Sequence, residues 1–260
     1  MRAATVLGAS MPFTYDPALV ALSIAIAILG SFTGLVMTAG IRRIRGPEVA
    51  LRVALGGIGV GGGVWSMHFI AMLAVVLPIH LTYDIPRTVA SAMIAVIGTA
   101  IAFFIVNRDR FGDYTLPVSA VFLGSGIGGM HYLGMSGVRG NCVLDYSWLG
   151  VAISIIIAIQ ASAIALWFAF RERGVIDTLL GAVALGLAIA SMHYSGMEAT
   201  HFLPAENPVE VSGSVVSDRY LALAISVTIY AICGVCIFVF SVLTLTRKTA
   251  RNEQRGGARS

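Results

Sequence analysis

Seven runs almost free of charge dominate this chain. They lie at about 18–40, 53–77, 87–106, 116–138, 147–170, 175–199 and 219–245. Each is near the roughly 20 residues that an α-helix needs to cross a bilayer, and a spanning β-strand needs only about 9–11. In lipid a backbone must satisfy its own polar groups, which leaves helices or closed barrels. Runs of this length therefore predict an all-α integral membrane bundle of seven transmembrane helices. Composition agrees, since 57% of the residues are apolar and only 12% charged, against about 25% charged in a soluble domain. A soluble enzyme is excluded.

The basic residues orient the bundle. Of 17 Lys and Arg, all but Arg2, Arg87, Arg139 and Arg219 fall on one side. That side holds Arg42, Arg43, Arg45 and Arg52, then Arg108 and Arg110, then Arg171 and Arg173, and finally Arg247, Lys248, Arg251, Arg255 and Arg259. Basic loops stay in the cytoplasm. The N-terminus is therefore expected outside, the C-terminus inside, and the protein in the cell inner membrane. The net charge of +4 reports topology and attraction to anionic lipid rather than nucleic-acid binding. The first run is too long for a signal-peptide core, and Arg42-Arg43 follow it, so it reads as an uncleaved helix. Residues 1–245 form one membrane domain, and 246–260 a basic cytoplasmic tail. Three cysteines give no disulfide framework, and Cys233-x-x-Cys236 reads as small apolar fillers in the seventh helix.

The chain also repeats itself. Val60–Met72, Leu123–Met135 and Leu185–Met197 match, with Met67-His68, Met130-His131 and Met192-His193 in register. A period near 62 residues fits two membrane helices and two short loops. The architecture then reads as three repeated helix pairs plus a seventh helix. Each copy lies in the outer half of an even-numbered helix, so the three motifs share a depth. The Gly, Ala and Ser residues ahead of each motif let helix backbones approach closely.

Positions i and i+4 of a helix share a face. His68 pairs in this way with Met72, His131 with Met135, and His193 with Met197. In the third copy the stripe extends to His201. Met67, Met130 and Met192 sit about a quarter-turn from their histidines. A histidine inside a membrane helix is a functional candidate by default, and packing alone does not require three imidazoles and three thioethers to recur together. Neutral imidazole suits copper, zinc, iron and nickel, and thioether selects Cu(I). The motif core lacks the Cys and carboxylate that zinc favours. Copper is the leading cofactor, and a haem with His or Met axial ligands the next. Tyr132, Tyr194, Ser66 and Ser191 are candidate partners that would fix each imidazole.

These motifs and their period resemble the MHYT family, named for a Met-His-Tyr-Thr signature. The resemblance covers nearly the whole chain and implies a bacterial inner-membrane sensory domain. It implies copper held by Met67, His68, Met130, His131, Met192 and His193, with Met72, Met135 and Met197 as further ligands. It also implies a diatomic gas (oxygen, carbon monoxide or nitric oxide) as the signal. The sequence departs from the pattern at Phe69 and Ala71, where the other copies have Tyr and Gly. Leu133 and Ser195 stand where the signature has Thr.

A copper-dependent gas sensor, without catalysis of its own, is therefore the leading function. Its expected partners are the lipid bilayer, the gas, and a separate cytoplasmic signalling protein, because only a short tail follows Leu245. Copper transport or storage is the alternative, although polar groups deeper in the bundle are few, with Ser154, Gln160, Ser162 and Asp177 the candidates. A metal-dependent membrane oxidoreductase is the third reading, but no nucleophile triad, Walker-type loop or dinucleotide fingerprint is present. The orientation has a direct check. A green fluorescent protein fused after Ser260 is expected to fluoresce in cells, and alkaline phosphatase inserted at Gly140 to be active. The opposite pattern would invert the topology.

Overall fold

A computed structural model describes residues 10–41, 46–169, 175–205 and 215–217, together with single helical positions between 220 and 242. Six long helices are defined in it. They are α1 (Pro17–Thr38), α2 (Pro47–Leu73), α3 (Ile85–Val106), α4 (Thr115–Ser136), α5 (Trp148–Ala169) and α6 (Val175–Glu198). The helical positions between 220 and 242 make up α7. The 22 residues of α1 rise about 33 Å, enough to span a hydrocarbon core of about 30 Å. Helices α1, α2, α3, α5 and α6 are long and apolar enough to cross a membrane. This is a membrane protein. Helix α4 is as long but less apolar, being rich in Gly and Ser. Arg42, Arg43, Arg45, Arg171, Arg173, Arg219, Cys236 and the tail at 246–260 lie outside the described residues.

Local chemistry sets where the helices begin. Asp16 caps α1, its carboxylate accepting from the Ala18 and Leu19 amides at 2.8 and 3.2 Å, with Pro17 next. Asp84 caps α3 through the Arg87 amide at 3.0 Å, and Ser147 Oγ accepts from the Gly150 amide at 3.4 Å. Such caps satisfy amides that have no carbonyl within the helix. Helix α2 starts six residues before its apolar run. Glu48 and Arg52 pair one turn apart at 3.1 Å, and Arg52 also donates to the Ala39 carbonyl at the end of α1. Arg52, counted from sequence among the basic loop residues of one side, is buried where α2 meets the end of α1.

The six helices form a closed ring. Each pairs with its chain neighbour, and α6 packs back against α1. The even helices also touch one another on the inside, while the odd helices face outward. In α2, 72% of the most apolar stretch is buried, against 28% in α5. Val89, Met93, Ile97 and Ile101 form an exposed stripe on α3, the pattern of a surface solvated by lipid rather than water. The α7 residues Ile225, Ile229 and Cys233 pack into an apolar cluster that also holds Ile26 of α1.

Glycines make the ring tight. A β-carbon at Gly61 would meet Val96 of α3 at 2.6 Å, one at Gly124 Ile159 of α5 at 2.6 Å, and one at Gly186 Ile28 of α1 at 2.5 Å. All three stand seven residues before a motif histidine, so one spacing makes all three joints between pairs. Within pairs, Gly30 meets Gly63 and Gly98 meets Gly126 at backbone contact.

The sequence reading expected only helices, yet short strands close the end of the bundle where the even helices finish. They are β1 (Thr14–Tyr15), β2 (Val75–Val76), β3 (Thr82–Asp84), β4 (Val138–Arg139), β5 (Cys142–Tyr146), β6 (Thr200–Pro204) and β7 (Val215–Ser217). β1 pairs antiparallel with β2, β3 with β4 and β5 with β6. Each ribbon therefore ties the segment entering an odd helix to the segment leaving its even partner. Tyr15, Tyr83 and Tyr146 hold matching positions, opposite Val75, Val138 and Thr200. β7 adds to β3. Such strands are too short for a hydropathy pattern to reveal.

The glycine joints make a testable contrast. Gly124→Ala is expected to lose about 1–3 kcal/mol by overpacking, read as a lower melting temperature in detergent. Gly128→Ala, whose β-carbon would meet only Ile155 at 3.4 Å, is expected to be neutral or to gain up to about 1 kcal/mol from higher helix propensity.

A histidine triangle on the bundle axis

The three even helices deliver one imidazole each to a common point. His68 Nδ1 lies 3.1 Å from His193 Nδ1, and His131 Nδ1 lies 3.2 Å from each of them. The ring centroids are 5.0–5.1 Å apart at interplanar angles of 75–87°. None of the three is more than 1% exposed. Among the described residues this is the one group of three or more His, Cys, Asp or Glu placed to share an ion.

Close helix approach makes the triangle. A β-carbon at Gly134 would sit 2.6 Å from His68 Nε2, and one at Gly196 2.6 Å from His131 Nε2. His68 and His131 thus each rest on a bare glycine of the next motif. The corresponding residue of the first motif is Ala71. The six motif methionines are all buried and fall in two apolar clusters. Met67, Met130 and Met192 belong to an inner apolar cluster with Val64, Leu123 and Ile189. Met72, Met135 and Met197 belong to an outer one with Phe69, Tyr83 and Phe202. The histidines stand between these layers in sequence. His201 does not extend the stripe, because α6 ends at Glu198 and His201 lies exposed on β6, opposite Asp145. His80 is exposed in the β2–β3 connection.

The hydrogen-bond partners differ from those expected. All three Nε2 atoms are buried without a protein partner. Tyr132 turns instead to Ser154, Oη to Oγ 2.6 Å, and Tyr194 to Ser23 at 3.1 Å. Ser154 and Ser23 spend their own protons on the Val151 and Val20 carbonyls, so each tyrosine is the donor. Ser191 is exposed. The first motif has Phe69 here, and Ser91, at the position matching Ser154, donates to the Thr88 carbonyl.

An aromatic column leads outward from each imidazole. His131 meets Tyr132 at 4.8 Å, and Tyr132 meets Tyr146 at 5.9 Å. His193 meets Tyr194 at 5.0 Å, and Tyr194 meets Tyr15 at 5.4 Å. His68 meets Phe69 at 4.8 Å, and Phe69 meets Tyr83 at 5.4 Å. These are edge-to-face contacts of the kind aromatic pairs favour. Burial pushes the Tyr146 phenol up to about 12, and Tyr15 above its usual range, with Glu198 adding to the latter. Both therefore stay neutral at physiological pH. The sequence reading missed these strand tyrosines and the serines at 23 and 91, and took Ser154 only as a polar group deeper in the bundle. Their spacings of 68 and 63 residues were legible, but only to a search for repeats beyond the motif itself.

Three nitrogens cannot all be satisfied by one another. In neutral imidazole one nitrogen donates and the other accepts. A protonated Nδ1 has no lone pair to offer, and an unprotonated one needs a donor. A triangle of three therefore leaves at least one face-to-face mismatch for every choice of tautomers. A cation at the centre satisfies three lone pairs at once.

The chain's sequence matches a family model described as "Bacterial signalling protein N terminal repeat", MHYT, over residues 1–51, 61–116, 124–182 and 186–251. It is 37% identical over 233 residues to the bifunctional diguanylate cyclase/cyclic di-GMP phosphodiesterase MucR of Pseudomonas aeruginosa, covering 87% of this chain and 34% of that protein. It is 35% identical over 231 residues to the cyclic di-GMP phosphodiesterase NbdA of the same species, covering 85% of this chain and 29% of the relative. To the signaling protein YkoW of Bacillus subtilis it is 29% identical over 255 residues, covering 93% and 31%. It thus spans about a third of the length of these relatives. No solved structure matches it. With the repeat model matched along nearly its whole length, the chain belongs to the MHYT family of bacterial signalling proteins.

Proposed function

We propose that this chain is a membrane input domain that holds copper on the axis of its helix ring and senses a diatomic gas there. The observation that carries this reading is the Nδ1 triangle, with edges of 3.1–3.2 Å. Ions ligated tetrahedrally by imidazole at about 2.0–2.1 Å need donor edges of about 3.3 Å, close to those present. His68, His131 and His193 would hold the ion. Three protein ligands leave a position for an exogenous molecule, and a bound Cu(I) ion would supply the affinity for oxygen, carbon monoxide or nitric oxide. The methionine layers on either side offer thioethers, which select Cu(I) over harder ions. The close approach of Gly134 to His68 and of Gly196 to His131 leaves no space for a macrocycle, which favours a single ion over haem.

The rest of the reading concerns topology and output. All seven helices cross the inner membrane, with the strand ribbons outside and the C-terminus inside. Ligand binding at the triangle alters the spacing of α2, α4 and α6, and their inner ends carry the change to the cytoplasmic side. Relatives named for cyclic di-GMP synthesis and breakdown support a cytoplasmic signalling protein of that class as receiver. The chain itself is a sensor and not an enzyme. Transport is the weaker reading, because the cluster on the inner side of the triangle is apolar, built from residues such as Val60, Leu123 and Leu185, and a path for an ion needs polar groups.

Metal analysis decides the matter. Protein purified in detergent and reconstituted with Cu(I) is expected to hold about one copper per chain at the three-imidazole site. The triple variant His68→Ala, His131→Ala and His193→Ala is expected to hold none, with helicity retained by circular dichroism. Gly134→Ala, which crowds the His68 ring, is expected to weaken copper binding by about 10–100-fold, as loss of ligand positioning does. Absence of copper in the parent, or its retention in the triple variant, would overturn the proposal.

A further inference from the structure

The three sectors around the triangle are not equivalent. In two of them the aromatic residue after the histidine is tethered, Tyr132 to Ser154 and Tyr194 to Ser23. In the first sector Phe69 has no hydroxyl, although Ser91 stands 22 residues after it, as Ser154 does after Tyr132. The same sector carries a longer outer connection. Residues 77–81 separate β2 from β3, whereas only residues 140 and 141 separate β4 from β5.

That longer connection lines a partly open cavity of about 240 Å³, with Met72, Leu77, Ile79, His80, Leu81 and Tyr83 among its walls. Met72 is one turn outward of His68 on α2. Tyr83, on the cavity wall, packs against Phe69 at 5.4 Å, and Phe69 packs against the His68 ring at 4.8 Å. Two packed rings, Tyr83 and then Phe69, therefore lead from the cavity to one corner of the triangle, and the ring next to the imidazole is a phenyl that lacks the hydrogen bond of its two counterparts.

We propose that this cavity and Phe69 form the access route by which a small uncharged ligand reaches the histidine triangle. The inference rests on the sensor reading given above and names the sector that the ligand uses. The route is selective by its chemistry. Burying an ion among these side chains without a partner costs far more than burying a neutral diatomic molecule, so the column passes the latter and bars the former. Phe69 swings to admit the ligand, while the two hydrogen-bonded tyrosines keep the other sectors shut.

The test restores the missing tether. Phe69→Tyr places a hydroxyl where Ser91 can accept it, as Ser154 and Ser23 accept theirs. Leu81→Trp fills the cavity from its wall. Carbon monoxide rebinding to Cu(I)-loaded protein is followed by the infrared C–O stretch after flash photolysis, with copper content measured in the same samples. Phe69→Tyr is expected to slow association and dissociation together by about fivefold, the rate equivalent of one added hydrogen bond. The dissociation constant stays unchanged. Leu81→Trp is expected to slow association similarly. Rates equal to the parent's in both variants, at full copper content, would overturn the access route and leave the metal site standing.

A second arm needs no metal. Crystals of the metal-free protein are pressurised with xenon, which occupies apolar cavities. Xenon density against Met72 and Tyr83, lost in Leu81→Trp, supports the route. A cavity without xenon in the parent overturns it, whatever the fate of the copper reading.

Discussion

Backbone proximity among α2, α4 and α6 is the constraint from which the rest of this structure follows. Lipid offers no hydrophobic drive between helices, so association depends on packing and on hydrogen bonds. Here the packing is made by glycines that touch the neighbouring helix directly, at Gly61, Gly124 and Gly186 between pairs. A methyl group at any of them would push two helices apart. The imidazoles lie one or two turns further along the same helices, so a change in helix spacing is felt at the triangle. Seen in reverse, a ligand that alters the triangle acts on the most tightly built part of the ring.

The threefold design is nearly complete, and its exceptions cluster. Caps at Asp16, Asp84 and Ser147, strand tyrosines at 15, 83 and 146, and serines at 23, 91 and 154 all repeat with the motif. The differences in the first motif are Phe69 for Tyr and Ala71 for Gly, in the sector that also has the longer connection and the cavity it lines. A symmetric site binds an ion equally from three sides. One altered sector gives it a direction.

Much of this was legible in the sequence, for reasons that can be stated residue by residue. Lipid imposes a length on apolar runs, so the helices could be read to within a few residues, except at α2. There Glu48 and Arg52 neutralise each other and carry the helix past the apolar run. The histidines could be read as a group because their spacing is regular and their chemistry costly in a membrane. Their contact could only be anticipated, since it depends on which face each helix turns inward. The i, i+4 rule places Met72, Met135 and Met197 on the histidine face, and the structure buries these three in one apolar cluster and Met67, Met130 and Met192 in another. His201 was read as part of a helix that stops three residues before it. The ribbons escaped notice because strands of two to five residues carry too little periodicity to read, and the Tyr–Ser pairs because they join residues on different helices.

The ribbons also bear on how such a protein is made and how it arose. Each ties together the two open ends of one helix hairpin. Yet one pair contributes a single imidazole, and two pairs give only an edge. The triangle exists only after the third pair has entered the bilayer and α6 has met α1. Assembly of the three imidazoles would then mark completed biogenesis, since no truncated intermediate carries the full set. A precursor encoding one hairpin would have required three chains to build the same site, and tandem duplication would have fixed that trimer in one polypeptide, freeing a single sector to diverge.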